Sequence, residues 1–492
     1  MQKIQEKLNV NKYANYILLL TLFITNAISM ILELVIARIL SPYLGSSNTT
    51  WTIIISIMLL ANAVGNYYGG KLADKYNVNS ITIFLLIISV ISIIAIEKLN
   101  IHCLNTTIDS TESLIYISII LFIMLLPCIC IGVISPFANK LLVKTNIGKE
   151  SGKIYTVITI GSLIGTLFGG LFLIPRLGCN IVLDILSICM SILLLLNIII
   201  IYKNKKHILY IITCIILSAI SIIDIATFKN NISNMLVFDT VDSYVKIYDT
   251  TFNNEDITVF SVGGGYESAI YKDKNRQNEL VFNYTKLYDI VKDTYTDSKN
   301  YLMIGGAGYT YPRHFLSKYK DTNMTVVEID SKITEIAKEY FGLNDFIKSE
   351  DGNRLTLINA DGRLYLKNNN KYDVILNDAF SGEVPAKTLA TIEAVNQIKE
   401  SLTINGIYAS NILGSADTSF LINETKTLNA IFKYVWLIPA TDNYINNKIL
   451  DNTITNKTNF IVIASDYNYK FDTINYNINN GDIYTDDLIS VN

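Results

Sequence analysis

The hydrophobic pattern of the chain changes once. As far as about residue 227 it is a series of Ile/Leu-rich runs separated by short polar stretches; beyond that point short apolar segments alternate with charged and turn-forming residues. Each early run is roughly 20 residues long, which at 1.5 Å per residue is enough for a helix to cross a hydrocarbon layer of ~30 Å. The runs lie at about Tyr16 to Leu40, Trp51 to Gly70, Ile81 to Ile96, Leu114 to Ser135, Ile154 to Pro175, Ile181 to Ile201 and Ile208 to Ala226, which predicts a polytopic helical membrane domain over 1–227 with about seven spans. The first run is too long for a cleaved signal and no small-residue cleavage site follows it, so it is expected to stay as a span. Gly161, Gly165 and Gly169 fall on one helix face, a spacing that lets a neighbouring backbone approach closely.

From 228 to 275 the pattern is that of a small antiparallel β unit: "YVKIYD", "ITVFSV" and "SAIYK" alternate apolar with polar residues and are punctuated by Asn-Asn and Gly-Gly-Gly. From 276 to 492 strand-like and helix-like segments alternate. "YLMIGGAG", "MTVVEID", "LTLINADG", "YDVILND" and "GIYASNIL" read as strands, with helical patterns at Ser331 to Phe341 and Leu389 to Ser401. This alternation predicts a Rossmann-like, mostly parallel sheet with helices on both faces. "NFIVIASD" near the C-terminus is expected to add a strand at the sheet edge.

Composition removes several classes of function. The 492 residues are 50% hydrophobic and carry a formal net charge of -3, which gives no electrostatic basis for nucleic-acid binding. All six cysteines precede residue 215 and the chain has three histidines, so neither a disulfide framework nor a zinc or iron site is indicated, and no metal is expected. Lysines crowd the N-terminal tail (Lys3, Lys7, Lys12) and the connections bearing Lys71/Lys75, Lys140/Lys144 and Lys203/Lys205/Lys206, which assigns these segments to the cytoplasm. Seven spans from a cytoplasmic N-terminus place the second half outside, whereas a nucleoside ligand is supplied inside. The second half is expected in the cytoplasm on that ground. Glu33 and Arg38, within the first apolar run, are expected to face the bundle interior or reach toward the interface.

The candidate chemistry lies where strands end, because ligands of such sheets bind outside the carboxyl ends of the strands. Gly305, Gly306 and Gly308 form a turn whose backbone can approach a ligand. Glu328, closing the second strand, can accept from ribose hydroxyls, and Asp361, ending the third, can accept from an adenine amino group. No Gly-Lys-Ser/Thr follows the glycines, against a P-loop, and no third glycine stands at Thr310 or Tyr311, against a dinucleotide fingerprint. S-adenosylmethionine or its decarboxylated form fits this set better. Asp378, after Asn377, closes the fourth strand.

"YLMIGGAG", "VVEID", "NADGRLYL" and "YDVILNDAF", in this order, resemble the spermidine synthases, the polyamine aminopropyltransferases. With "ISMILELVIARIL" and "GGKLADK" ahead of them, the whole chain resembles the membrane-fused spermidine synthase-like proteins. The resemblance implies a sheet of the S-adenosylmethionine-dependent methyltransferase type and transfer of an aminopropyl group from decarboxylated S-adenosylmethionine to putrescine or another small amine, in an enzyme set in the lipid bilayer, with a homodimer open as its assembly. It implies Asp378 as the catalytic acid/base, Glu328 at the ribose, Asp361 and Gly362 beside the adenine, and Tyr244, Tyr284, Glu267 and Ser381 on the amine side. Three positions depart from that pattern: Ser381 stands where a second carboxylate is usual, Glu267 replaces a glutamine, and Gly308 replaces an acidic residue. Glu383 could replace the missing carboxylate if its loop bends back. A methyltransferase acting on a membrane-delivered acceptor, and a transporter or sensor with a nucleoside- or polyamine-binding domain, are the alternatives the same residues allow.

Overall fold

The computed structural model describes residues 2–44, 48–76, 78–104, 110–143, 147–201, 208–231, 235–240, 244–262, 265–381, 384–450, 456–476, 478 and 481–489. The chain divides into two compact units, Met1–Tyr244 and Val245–Asn492.

The first unit contains α1 (Gln2–Leu44), α2 (Asn48–Lys75), α3 (Val78–Leu104), α4 (Ser110–Leu142), α5 (Ile147–Phe168), α6 (Ile174–Leu177), α7 (Cys179–Ile201), α8 (Ile208–Asn231) and one short strand, β1 (Met235–Asp239). A π-helical turn, Gly169–Leu173, joins α5 to α6. Among the described residues six stretches are long and apolar enough to cross a membrane: Asn15–Leu40, Trp51–Lys75, Ile81–Ile101, Ile115–Leu142, Ile147–Leu177 and Cys179–Ile199. The seventh expected span falls in α8, whose apolar run Tyr210–Asp224 is shorter and is closed by a carboxylate. Even so, α8 runs back along α7, where the Ser187 and Ser221 hydroxyls hydrogen-bond to each other. The glycine stripe packs α5 on α1: a Cβ on Gly161 or Gly165 would stand 2.4 Å from the carbonyl oxygen of Phe23 or Ala27. Arg38, at the far end of α1, donates to the Thr240 carbonyl.

The second unit opens with an antiparallel ladder, β2 (Tyr244–Phe252), β3 (Glu255–Val262) and β4 (Gly265–Tyr271). Asn253 and Asn254, at φ 51° and 63°, make the two-residue turn between β2 and β3. Positive φ at both turn positions matches the twist of the flanking strands, and asparagine tolerates it. There follow α9 (Asn283–Thr294), β5 (Asn300–Ile304), α10 (Thr310–Lys318), β6 (Asn323–Glu328), α11 (Ser331–Tyr340), α12 (Leu343–Ile347), β7 (Leu355–Asn359), α13 (Gly362–Tyr365) and β8 (Tyr372–Asn377). A two-residue pair, β9 (Phe380–Ser381) and β10 (Val384–Pro385), precedes α14 (Ile392–Glu400), β11 (Leu402–Gly414), α15 (Ser419–Ile431), β12 (Tyr434–Pro439), α16 (Asp442–Asn447) and β13 (Thr458–Ser465).

Seven of these strands form one sheet in the order β12-β13-β11-β8-β5-β6-β7. β11, β8, β5, β6 and β7 are parallel, while β13 is antiparallel to both β11 and β12. The segment expected at the edge, "NFIVIASD", is therefore an inner strand. β12, which ends at Pro439, is the edge, as suits a residue without an N–H to give a further strand. The helices that cover the sheet are amphipathic. In α14 Ala394, Val395 and Ile398 are buried, and Thr391 caps the helix by accepting from the Ala394 N–H at 3.2 Å. In α11 Ile333, Ile336 and Ala337 are buried, and Asp330 caps it by accepting from Lys332 N at 2.9 Å. From β5 the chain winds outward through β6 and β7, then returns to β8 on the other side. This reversal opens a crevice between the carboxyl ends of β5 and β8, where the glycine turn and Asp378 lie.

Candidate active site

At the exit of β5 the chain makes a turn that only a glycine allows at its first position. Gly305 has φ +95°, and a Cβ there would stand 2.4 Å from the Asp378 carbonyl oxygen. Ala307 and Tyr309 follow at φ 41° and 54°, a left-handed conformation unfavourable for side-chain-bearing residues. The surroundings hold them there: the Tyr309 hydroxyl meets Thr334 Oγ1 at 2.8 Å, and the Gly308 N–H donates to Ser268 Oγ at 3.1 Å. Ser268 belongs to β4, so the small β ladder is tied directly to the glycine turn.

Glu328, at the end of β6, is buried and wrapped in amides. Its Oε2 accepts from Gly306 N at 2.8 Å and Ala307 N at 3.3 Å, and its Oε1 from Asp330 N at 3.0 Å. Burial raises its pKa, and the three backbone donors oppose the rise. The amides of Gly306 and Ala307 are thus engaged by a carboxylate and are not offered to a pyrophosphate. Oε1, with a single backbone donor, keeps acceptor capacity for a hydroxyl. Asp361 lies two residues past the end of β7 rather than at it. There it caps α13, accepting from Leu364 N at 3.0 Å, while Gly362 packs on Ile304 of β5.

Asp378 follows β8 and is half-buried. Its N–H donates to the Ile304 carbonyl at 2.9 Å, which fixes it beside the glycine turn. Asn411 Nδ2, from β11, donates to Asp378 Oδ1 at 2.8 Å, and Asn411 Oδ1 accepts from Asn459 Nδ2 at 3.0 Å, so the amide orientation follows from its two partners. Burial pushes the Asp378 pKa up to about 6, against the lowering effect of Asn411 and Tyr288. Tyr288, fully buried in α9, has among the described residues no hydrogen-bond partner of standard geometry for its hydroxyl. It lies close enough to Asp378 for each to shift the other's ionisation. A buried hydroxyl in this state is a ready donor or acceptor for an arriving polar group.

Two cavities meet here. A small one, about 10 Å³, touches Asp378, Gly305, Gly306, Ala307 and Thr310; a larger one, about 540 Å³, is walled by Phe252, Tyr266, Phe282, Phe380, Asn411 and Asn459. Glu267 and Tyr284 line both. The Tyr284 hydroxyl donates to the Glu267 carbonyl oxygen at 2.9 Å, and burial, followed by the charges of Asp378 and Glu267, drives its pKa well above the usual phenol range. The structure therefore brings together Gly305, Gly306, Gly308, Glu328, Asp378, Glu267 and Tyr284. Asp361 and Gly362 sit at the neighbouring strand end. Tyr244 and Ser381 are strand residues whose side chains lie outside the described part, and Glu383 lies outside the described residues. Sequence reasoning missed Ser268, Tyr288, Asn411 and Asn459. A signal existed for one of them: Asn411 is a polar residue near the end of the otherwise apolar "GIYASNIL".

Residues 282–452 match the spermine/spermidine synthase domain family. The C-terminal part of the chain carries a spermine/spermidine synthase domain. This synthase domain is similar to the polyamine aminopropyltransferase of Vibrio vulnificus, 28% identical over 164 residues that cover 32% of this chain and 51% of the relative. It is also similar to a probable polyamine aminopropyl transferase of Bifidobacterium longum, 29% identical over 188 residues covering 37% of this chain and 39% of that one. The chain spans about half the length of the curated relatives it matches, or less. Among solved structures, a probable spermidine synthase from Corynebacterium glutamicum superposes with a TM-score of 0.39 at 20% identity, covering 48% of this chain and 81% of that chain.

Proposed function

We propose that the protein is a membrane-anchored aminopropyltransferase that uses decarboxylated S-adenosylmethionine as co-substrate and a small amine as acceptor. The observation that carries this reading is Asp378: a carboxylate at the switch point of the sheet, oriented by Asn411, with a pKa raised to about 6. A base of that strength is ionised near neutrality yet can still take a proton. Glu328 would accept from the ribose hydroxyls and Asp361 would lie toward the adenine. The engagement of the glycine-turn amides by Glu328 supports a nucleoside without a pyrophosphate.

In this reading the amine enters the larger cavity as an ammonium, drawn by Asp378 and Glu267. Asp378 takes its proton, with the Tyr288 hydroxyl beside it. The freed nitrogen lone pair attacks the methylene carbon next to the sulfonium; the C–N bond forms as the C–S bond breaks. The bonding pair returns to sulfur, which leaves as neutral methylthioadenosine, and the positive charge passes to the new nitrogen, so the product is a secondary ammonium. Holding the two reactants in line supplies much of the acceleration. The helical unit would lie in the bilayer and the soluble unit on its cytoplasmic side, where the nucleoside is made.

The test is direct. Full-length protein in detergent, given decarboxylated S-adenosylmethionine and a panel of amines, should release methylthioadenosine. Absence of release with every amine would overturn the proposal, and clear calorimetric preference for the carboxylated nucleoside would assign methyl transfer instead.

A further inference from the structure

The helical unit contains a cluster of ionisable groups that the chemistry above does not use. Glu97 near the end of α3, Asp184 near the start of α7 and Asp224 in α8 are all buried, and each brings a carboxylate oxygen within 4.8 Å of the other two. Lys98 contacts Asp224 Oδ1 and lies 3.6 Å from Glu97 Oε2. Among the described residues the three carboxylates face one ammonium, so two formal negative charges stand unbalanced in an apolar bundle. Such an imbalance costs several kcal/mol unless a cation offsets it or protonation removes it.

A second observation points to the same place. Glu97 is 1% exposed, and among the described residues neither of its carboxylate oxygens has a hydrogen-bond partner; Asp184 Oδ2 and Asp224 Oδ2 have none there either. Buried polar atoms are ordinarily satisfied, and acceptors left open toward one another suit a positive ion rather than a donor network. The spacing agrees. Oxygens on opposite sides of an ion coordinated at about 2.3–2.6 Å stand roughly 4.6–5.2 Å apart, and neighbouring ligands stand closer.

We propose that Glu97, Asp184 and Asp224 form a binding site for a hard divalent cation of about calcium's size, clipping α3, α7 and α8 together. The absence of zinc- or iron-type ligands does not bear on this site, because its donors are carboxylate oxygens only. Lys98 acts as the competitor: its ammonium holds Asp224 when the ion is away and must yield when the ion binds.

The role given to Lys98 sets the test. Full-length protein in detergent is titrated with Mn²⁺ and free Mn²⁺ is followed by electron paramagnetic resonance. The expected result is about one bound Mn²⁺ per chain, displaced by Ca²⁺. Glu97→Gln and Asp184→Asn should each weaken binding roughly tenfold or more. Lys98→Gln should tighten it, an effect that a misfolded variant would not imitate. No saturable binding up to millimolar Mn²⁺, binding unaltered by both carboxylate variants, or displacement by putrescine at lower concentration than by Ca²⁺ would each overturn the proposal. If the carboxylate variants fail to fold, Lys98→Gln decides alone: tighter binding supports the site, and unchanged or weaker binding overturns it.

Discussion

Asn411 donates its side-chain N–H to Asp378 across adjacent parallel strands, and Asn459 on the next strand over holds Asn411 in that orientation. A hydrogen bond to the ionised form lowers a carboxyl pKa, so this donor opposes the upward push of burial. Asn411→Leu should therefore move the acid limb of the pH–rate profile to higher pH while leaving the alkaline limb in place. An unshifted acid limb would remove Asn411 from the account.

Asp378→Asn should lower methylthioadenosine release by roughly 10²–10⁴-fold, the usual contribution of a positioned acid/base group. It should also stabilise the fold. A carboxyl whose pKa rises on folding, here from 3.8 to about 6, binds more protons folded than unfolded between those values, so stability falls as pH rises through that window. At pH 7 the wild type bears that loss and the amide variant does not. Thermal unfolding at pH 7 and pH 4 should show the variant ahead at pH 7 and its advantage shrinking at pH 4.

Glu328→Ala removes the acceptor of three backbone N–H groups at once. Buried donors left without partners cost about 1–3 kcal/mol each where water cannot reach them. Nucleoside affinity measured by calorimetry should drop sharply, while the KM for the amine at saturating nucleoside changes less. Glu328→Gln keeps one acceptor oxygen and should fall between the two.

An introduced cysteine in the second unit, in a background without the six native ones, reports the side of the membrane. Cofactor supply supports the cytoplasm; the return of α8 along α7 supports the opposite side. An impermeant thiol reagent applied to intact cells should leave the introduced cysteine unlabelled, and labelling would overturn the cytoplasmic assignment.

The strand ends were legible in the sequence because short apolar runs stop at polar residues: Ile304 before the glycines, Val327 before Glu328, Leu376 before Asn377 and Asp378. Local pattern carried them. Tyr288 and Asn411 were not legible, because α9 and β11 reach Asp378 only through the order of the sheet, and Ser268 reaches Gly308 across 40 residues. β12 was hidden for a different reason. "YVWLIP" pairs antiparallel to a strand that follows it in sequence, so the alternation of strand and helix gives no hint that it takes the edge. Asp361 was assigned to the strand end, where its place as a helix cap depends on four residues of α13 that carry no strong helical period.

The Asp378 carbonyl approaches Gly305 so closely that a Cβ there would stand 2.4 Å from its oxygen, so the two loops pack backbone on backbone. Together with the Asp378 N–H bond to Ile304, this packing joins the turn proposed for the nucleoside and the carboxylate proposed for the amine into one mechanical part. The consequence is kinetic. Occupancy of the turn sets the position of Asp378 before an acceptor arrives, so the two substrates should add in a fixed order, nucleoside first, and product inhibition by methylthioadenosine should be competitive with the nucleoside alone.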